Sequence, residues 1–148
     1  MIPKGIRKNG QITTRPRGGD DLFAHLLAQG LRVRVRVTGG SMFPAIRSGD
    51  VVTLAPLDPG SARPGDVVLF RDVSDRLVLH RVLETGTRPD GEPWVRTRGD
   101  SAAGEDLPVS GDRVLGRTEA VERRPLWIEV LSRARMAARW VMGWKRNG

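Results

Sequence analysis

The stretch that decides the fold is residues 31–50, "LRVRVRVTGGSMFPAIRSGD". Its first seven residues alternate strictly between apolar side chains and arginine, which predicts a β-strand with one buried face. The inward positions would be Leu31, Val33, Val35 and Val37. Regular structure is then interrupted, because two glycines free the backbone and Pro44 fixes φ. The pattern therefore predicts a strand that leads to Ser41 on a stiff, irregular segment.

Similar signals along the rest of the chain predict a mainly β fold. Further strands are expected at 51–54, 66–70, 76–84, 94–100 and 113–122. Gly-Asp pairs open the strands after residues 50 and 65, and Asp90-Gly91 predicts the tip of a hairpin loop over 86–93. The 18 glycines and 10 prolines agree with a fold that has many turns.

The two ends of the chain have different patterns from its middle. Residues 1–19 are polar and basic, which predicts a flexible tail. Residues 20–29 predict a short helix, capped by Asp20 or Asp21 and ended by Gly30. Its apolar face would carry Leu22, Phe23, Leu26 and Leu27. Residues 125–148 predict a basic amphipathic helix, so the expected division is a tail, a β domain over 20–124 and this helix.

The charge of the chain is strongly positive, at +8. Almost all of the positive residues are arginines scattered along the sequence, and aromatic residues make up only 5%. Nucleic-acid sites on single strands combine basic and stacking residues, so we expect solvated arginine faces and no nucleic-acid partner. A basic nucleic-acid-binding domain is kept as a lesser alternative. The absence of cysteine excludes disulfides, thiolate metal sites and a cysteine nucleophile.

Membrane association is the second question that the composition raises. No apolar run reaches the ~18–20 residues that cross a bilayer, and no signal peptide is visible. We therefore expect a cytoplasmic chain without a transmembrane helix. The helix over 126–144 has two open interpretations, because its tryptophans and arginines suit a membrane surface while its apolar face also suits packing on the domain or on a partner.

A reactive serine needs a base within hydrogen-bond reach, about 2.6–3.2 Å. The lysines stand only at positions 4, 8 and 145, which excludes a Ser-Lys pair inside the domain unless a terminal segment folds back. Of the two histidines, His25 lies in the predicted helix and is interpreted as structural. His80 lies in a predicted strand and is the candidate base.

A carboxylate would complete such a site by orienting the imidazole. The segment "TRGDSAAGED", 97–106, offers Asp100 and Asp106. Either aspartate could instead simply stabilise a turn. The residue types alone do not separate an enzyme from a peptide-binding module without catalytic activity.

Four segments together carry a resemblance to a known family. They are "GGSMFPAIRSGDVV", "RPGDVVLF", "LHRV" and "TRGDSAAGED", in this order across about residues 33–118. They resemble the Ser-His branch of the signal peptidase I family, within the S24/S26 superfamily that also holds self-cleaving SOS repressors. The resemblance implies coiled antiparallel β-sheets and a serine endopeptidase that cleaves a signal or leader peptide or a partner protein. It implies no cofactor and no metal.

The resemblance also implies roles for individual residues. Ser41 would be the nucleophile and His80 the general base. Asp100 and Asp106 match the two acidic positions; we favour Asp106 as the partner of His80 and Asp100 as the residue that holds the loop, although the sequence does not rank them. The expected substrate would be a peptide or protein with an extended cleavage segment.

The oxyanion and substrate positions follow from the same resemblance. The oxyanion hole would use the Ser41 amide and a neighbour, and the expected substrate or oxyanion residues are Gly40, Met42 and Pro44. Some relatives have a hydroxyl at the position of Gly39, so only backbone donors remain here unless Ser48 or Ser101 reaches the site. The chain also departs from the family at 101–102, where Ser-Ala replaces an Asn pair.

Overall fold

The computed structural model describes residues 18–123. Helix α1 spans Gly19–Ala28 and is followed by seven strands and one short 3₁₀ helix, Gly111–Arg113. The strands are β1 Val33–Arg36, β2 Val51–Pro56, β3 Val67–Arg71, β4 Leu77–Thr87, β5 Pro93–Arg98, β6 Val109–Ser110 and β7 Val114–Glu122. The predicted helix over 125–148 and nearly all of the predicted tail lie outside the described residues. The three-part division of the chain therefore stays a prediction.

The strands form one antiparallel sheet in the order β1-β2-β7-β3-β4-β5-β6. The mainly β class, the antiparallel pairing and the short N-terminal helix predicted from the sequence are confirmed. The strand order brings β7, the last strand, between β2 and β3. Both β2 and β3 therefore pair on each side and lie inside the sheet.

Apolar side chains cover both faces of the sheet. The first cluster contains Leu27, Val33, Met42, Ile46, Val52, Leu54 and Leu69. The second contains Ala62, Val68, Phe70, Val82, Val95, Val109 and Val114. Strand β3 contributes alternate residues to the two clusters, as the twofold period of a strand requires. Each fully buried aliphatic or aromatic side chain contributes about 1.5–3 kcal/mol.

Helix α1 departs from the sequence prediction in two respects. Its N-cap is Gly18, with no side-chain cap, so the predicted Asp20 or Asp21 cap is wrong. The Asp21 carboxylate instead accepts a hydrogen bond of 2.8 Å from Arg71 on β3. Leu27 is buried, whereas Leu22 is 44% exposed because it lies off the packed face. Across residues 18–123, no helix has the length and apolar character needed to span a membrane.

Strand β1 is shorter than predicted. It begins at Val33, whose pairing partner is Leu54, so Leu31 lies before the ladder and is 49% exposed. The inward position predicted for Leu31 is therefore wrong. The physical reason is that the Leu31 amide donates a hydrogen bond of 3.1 Å to the Leu26 carbonyl at the end of α1, so Leu31 belongs to the turn that follows the helix.

The β4–β5 hairpin is longer than predicted. Strand β4 continues to Thr87, because Gly86 and Thr87 pair with Trp94 and Pro93. Glycine is required at position 86 because a Cβ there would lie only 2.6 Å from atoms of the Trp94 indole. The predicted tip is confirmed by Gly91, which takes a φ of +86°. Strand β6 has only two residues and was not predicted.

Candidate active site

Ser41 lies on an irregular segment between β1 and β2. Gly39 has a φ of +87°, and the Phe43–Pro44 peptide bond is cis. The Ser41 residue is exposed, while its neighbour Met42 is only 2% exposed and belongs to the first apolar cluster. The Met42 carbonyl also accepts a 2.9 Å hydrogen bond from the Ile46 amide. A buried residue thus anchors the segment directly beside the exposed serine.

His80 lies within β4, opposite Val68 of β3. Its side chain is 12% exposed, and its ring centroid lies 6.2 Å from that of Phe70. The Nε2 atom of His80 is 3.1 Å from the hydroxyl oxygen of Ser41. Strand β5 pairs with β4 only from Arg81 onwards, so the edge of β4 beside His80 is not covered by β5.

Asp106 lies in the loop between β5 and β6, behind His80. Its Oδ2 atom is 2.6 Å from His80 Nδ1, and it also accepts a hydrogen bond of 2.6 Å from the Thr97 hydroxyl. The Asp106 amide donates to the Thr97 carbonyl over 2.8 Å. Since Thr97 is buried in β5 at 1% exposure, it fixes both the backbone and the carboxylate of Asp106.

These contacts determine which nitrogen of His80 carries the proton in the neutral ring. A carboxylate only accepts hydrogen bonds, so Nδ1–H donates to Asp106. The Nε2 lone pair is then directed to the hydroxyl of Ser41. The three side chains form a continuous hydrogen-bonded series, which can remove the hydroxyl proton and stabilise the imidazolium that results.

Asp100 has a different partner. Both of its carboxylate oxygens accept hydrogen bonds of 2.8 Å from Arg81, and Arg81 also donates to the Gly65 carbonyl over 2.9 Å. The guanidinium lowers the pKa of Asp100 below its usual range, chiefly through these hydrogen bonds. Asp100 therefore ties the loop to β4 and does not contact the imidazole through a hydrogen bond.

A cleft of about 310 Å³ opens beside Ser41 and His80. Its walls come from Val37, Thr38, Gly39, Ser41 and Met42, which follow β1, and from residues 76–80 at the start of β4. Met42 lines the cleft from the apolar core, whereas Gly40 and Pro44 are exposed and do not line it. The substrate and oxyanion roles given to these three residues stay predictions.

The chain is similar in sequence to proteins described as signal peptidases. The chain is 38% identical over 79 residues to "Signal peptidase complex catalytic subunit SEC11" of Zygosaccharomyces rouxii, covering 52% of this chain and 46% of that protein. It is 33% identical over 92 residues to the protein of the same description from Dictyostelium discoideum, covering 60% and 51%. It is 29% identical over 106 residues to "Signal peptidase I W" of Bacillus subtilis, covering 70% and 52%.

This chain is related to the signal peptidases. The resemblance seen in the four sequence segments is thereby confirmed. No family model matches the chain, and the chain spans about half the length of the curated signal peptidases that it matches.

The structure brings three further residues to the candidate active site. Thr97 holds Asp106, Arg81 holds Asp100, and Gly99 approaches both Ser41 and His80. All three lie within the segments that carry the resemblance, yet no residue type among them signals such a role. Only the pairing of β4 with β5 brings them to the site.

The side chains of the remaining candidates do not take part in the hydrogen-bonded series from Ser41 to Asp106. His25 is in α1, and its Nε2 atom is 3.0 Å from the side-chain nitrogen of Gln29. Ser48 is exposed in the turn before β2. Ser101 does reach the Ser41 segment, where its hydroxyl bonds to the Gly40 carbonyl. Among residues 18–123, no group of three or more His, Asp or Glu side chains is arranged to hold a metal ion.

Proposed function

We propose that the chain is a serine endopeptidase of signal peptidase type, with Ser41 as nucleophile and His80 as general base. Asp106 would orient His80. The observation that carries the proposal is the series of hydrogen bonds from Ser41 through His80 to Asp106, at 3.1 and 2.6 Å, beside an open cleft. Asp100 is proposed to hold the loop and not to take part in proton transfer.

The reaction would proceed in two halves. The Ser41 oxygen attacks the peptide carbonyl carbon while its proton passes to His80 Nε2, and the carbonyl electron pair moves onto oxygen. The C–N bond then breaks, and His80 returns the proton to the leaving amine. Water repeats the sequence on the acyl-enzyme, which releases the carboxylic acid and restores Ser41. Asp106 stays a carboxylate and stabilises the imidazolium in both halves.

The substrate would bind as an extended strand. The edge of β4 over Leu77–His80 is not paired with β5, so its backbone groups can pair with a peptide in the cleft. Residues 37–39 form the opposite wall. Such binding places a peptide carbonyl beside Ser41 through main-chain contacts. The signal peptidase relationship adds the expectation of small side chains before the cleaved bond.

The geometry also bears on the alternative of a binding module without catalytic activity. A separation of Ser41 and His80 far beyond hydrogen-bond reach would favour that alternative, and the observed 3.1 Å favours the enzyme instead. The nucleic-acid alternative is weakened by the ion pairs of two arginines in and just before β1. Arg32 and Arg34 form ion pairs with Glu119 and Glu122 at 2.8 and 2.6 Å, which reduces the free positive charge on this face.

The natural substrate would be a signal or leader peptide, or a segment of a partner protein. The cytoplasmic location and the two interpretations of residues 126–144 stay predictions, since that segment lies outside the described residues. Comparing the uncut N-termini in cells that carry Ser41→Ala with those in wild-type cells would identify the substrate class.

The purified chain provides the direct test. It is incubated with a library of extended peptides that carry alanine before the central bond, and products are identified by mass spectrometry. We expect Ser41→Ala and His80→Ala each to lower kcat by about 10⁴-fold or more, because both groups act in one step. Ser61→Ala, which removes an exposed hydroxyl between β2 and β3, is the matched control. Cleavage at the wild-type rate by either active-site variant would remove the proposal.

A further inference from the structure

We propose that Ser101 is a positioning residue that orients the peptide group between Gly40 and Ser41 for oxyanion binding. This inference rests on the proposed function, because it concerns the amide that would stabilise the tetrahedral intermediate. The sequence leaves open whether Ser101 reaches the site, and the residue type alone does not indicate this positioning role.

Ser101 contacts two consecutive carbonyl groups of the nucleophile segment. Its hydroxyl donates to the Gly40 carbonyl over 2.8 Å, and its amide donates to the Ser41 carbonyl over 2.9 Å. Ser101 itself lies in a tight turn, in which the Ala102 amide donates to the Gly99 carbonyl over 2.9 Å. The turn therefore forms hydrogen bonds with the backbone carbonyls on both sides of the Ser41 amide.

The orientation of this peptide group matters because a trans peptide is planar, with C=O and N–H pointing in opposite directions. When Ser101 holds the Gly40 oxygen on one side, the Ser41 N–H must point to the other side. Among the described residues, the Ser41 amide donates no hydrogen bond, so it is available to a substrate oxygen. Because Gly39 and Gly40 allow many backbone conformations, they do not fix the orientation of this peptide group by themselves. The Gly40 oxygen is held by the Ser101 hydroxyl and by a 3.1 Å hydrogen bond from the Phe43 amide.

The close approach of Gly99 supports the same inference independently. A Cβ at this position would lie 2.7 Å from the Ser41 carbonyl oxygen and 3.1 Å from His80 Nε2. The turn over 99–102 is thus packed directly against the base as well as against the nucleophile. Any shift of the turn would therefore displace both His80 and Ser41, as expected of a segment that aligns the base with the nucleophile.

The test compares Ser101→Ala with Ser101→Thr, which keeps the hydroxyl, and with Ser61→Ala as a control. The probe is an alanine-containing fluorogenic peptide that the wild-type chain cleaves, and kcat and KM are measured separately. Loss of a complete oxyanion donor costs about 10²–10³-fold. Because Ser101 only orients that donor, we expect Ser101→Ala to lower kcat by about tenfold with KM within twofold of wild type. Ser101→Thr should keep at least half of the wild-type kcat.

A peptide aldehyde of the same sequence separates positioning from general stability. It binds as a hemiacetal: the Ser41 oxygen bonds to the aldehyde carbon, the Ser41 proton passes to His80 Nε2, and the carbonyl electron pair becomes an oxyanion that needs the Ser41 amide. Its affinity should fall in Ser101→Ala in parallel with kcat, while the corresponding peptide alcohol binds as before and the thermal midpoint stays within about 2 °C. Ser101→Ala cleavage with unchanged kcat, or a loss that appears only in KM or in the thermal midpoint, overturns the role of Ser101. A wild-type chain that cleaves no peptide overturns the proposed function and this role with it.

Discussion

The two ends of the loop between β5 and β6 carry the same residue type in two different settings. At its start, Asp100 forms a two-pronged ion pair with Arg81, and its side chain is 18% exposed. Near its end, Asp106 shares one oxygen between His80 and Thr97, and its side chain is 30% exposed. An arginine stays charged throughout any reaction, whereas an imidazole gains and loses its proton near neutral pH. The partner, and not the carboxylate, therefore separates a structural aspartate from one that can assist proton transfer.

Among substitutions in this loop, Asp106→Asn should lower the activity most. An amide at this position can present its nitrogen to His80, which favours the wrong tautomer and withdraws the negative charge behind the imidazolium. We expect kcat to fall on the order of 10⁴-fold, with KM and the thermal midpoint close to those of wild type. Steady-state kinetics on the fluorogenic peptide and a thermal melt provide the measurements. A variant that unfolds without losing kcat would reverse the assignment of the two aspartates.

Asp100→Asn should show the opposite balance. It leaves Arg81 with a neutral partner, and a hydrogen bond to a charged group contributes about 1.5–3 kcal/mol; with Arg81 35% exposed, we expect about 1–2 kcal/mol of lost stability. The kcat of the folded variant should fall much less than that of Asp106→Asn. Urea unfolding at pH 7 measures the stability. Equal losses of kcat in both variants would mean that the ion pair also serves the chemistry.

The pH dependence of the unfolding free energy gives a further test of the ion pair between Asp100 and Arg81. Because Arg81 lowers the pKa of Asp100 in the folded chain, the ionised carboxylate contributes stability that is fully present above the ordinary aspartate pKa of about 3.9. This contribution is lost as the pH falls through the lowered folded value. The stability difference between wild type and Asp100→Asn should therefore be full at pH 7 and shrink below about pH 4. A constant difference across this range would contradict the ion pair.

Thr97→Val should give the smallest effect. The substitution keeps the shape of the buried side chain but removes the hydroxyl that donates to Asp106 Oδ2 over 2.6 Å. Asp106 keeps its hydrogen bond to His80, and Thr97 acts on the imidazole only through this carboxylate, so we expect kcat to fall by about tenfold or less. Thr97→Ser, which keeps the hydroxyl, is the control. A loss as large as that of Asp106→Asn would show that Thr97 does more than hold the carboxylate.

Local sequence patterns predicted those parts of the molecule that depend on near neighbours in the chain. The alternation in β1 and β4, the hairpin tip at Gly91 and the irregular segment around Ser41 all follow from backbone preferences over a few residues. The Gly-Asp turns show the same principle: Asp50 and Asp66 each accept a 2.9 Å hydrogen bond from the amide three residues earlier. The errors lie where a contact outside the local pattern decides: Leu31 bonds to the end of α1, Asp21 pairs with Arg71 instead of capping the helix, and Gly86 extends β4 by pairing with Trp94.

The antiparallel β domain, the irregular segment that carries Ser41 and the resemblance to signal peptidases could all be derived from the sequence alone. The tertiary structure was needed to show three further contacts. Asp106 contacts His80, Asp100 pairs with Arg81, and Ser101 forms hydrogen bonds with the backbone carbonyls on either side of the Ser41 amide. These contacts join residues 26, 19 and 61 positions apart. Periodicity and turn chemistry act over short distances along the chain, whereas such pairings depend on how the sheet brings β1, β4 and the loop after β5 together.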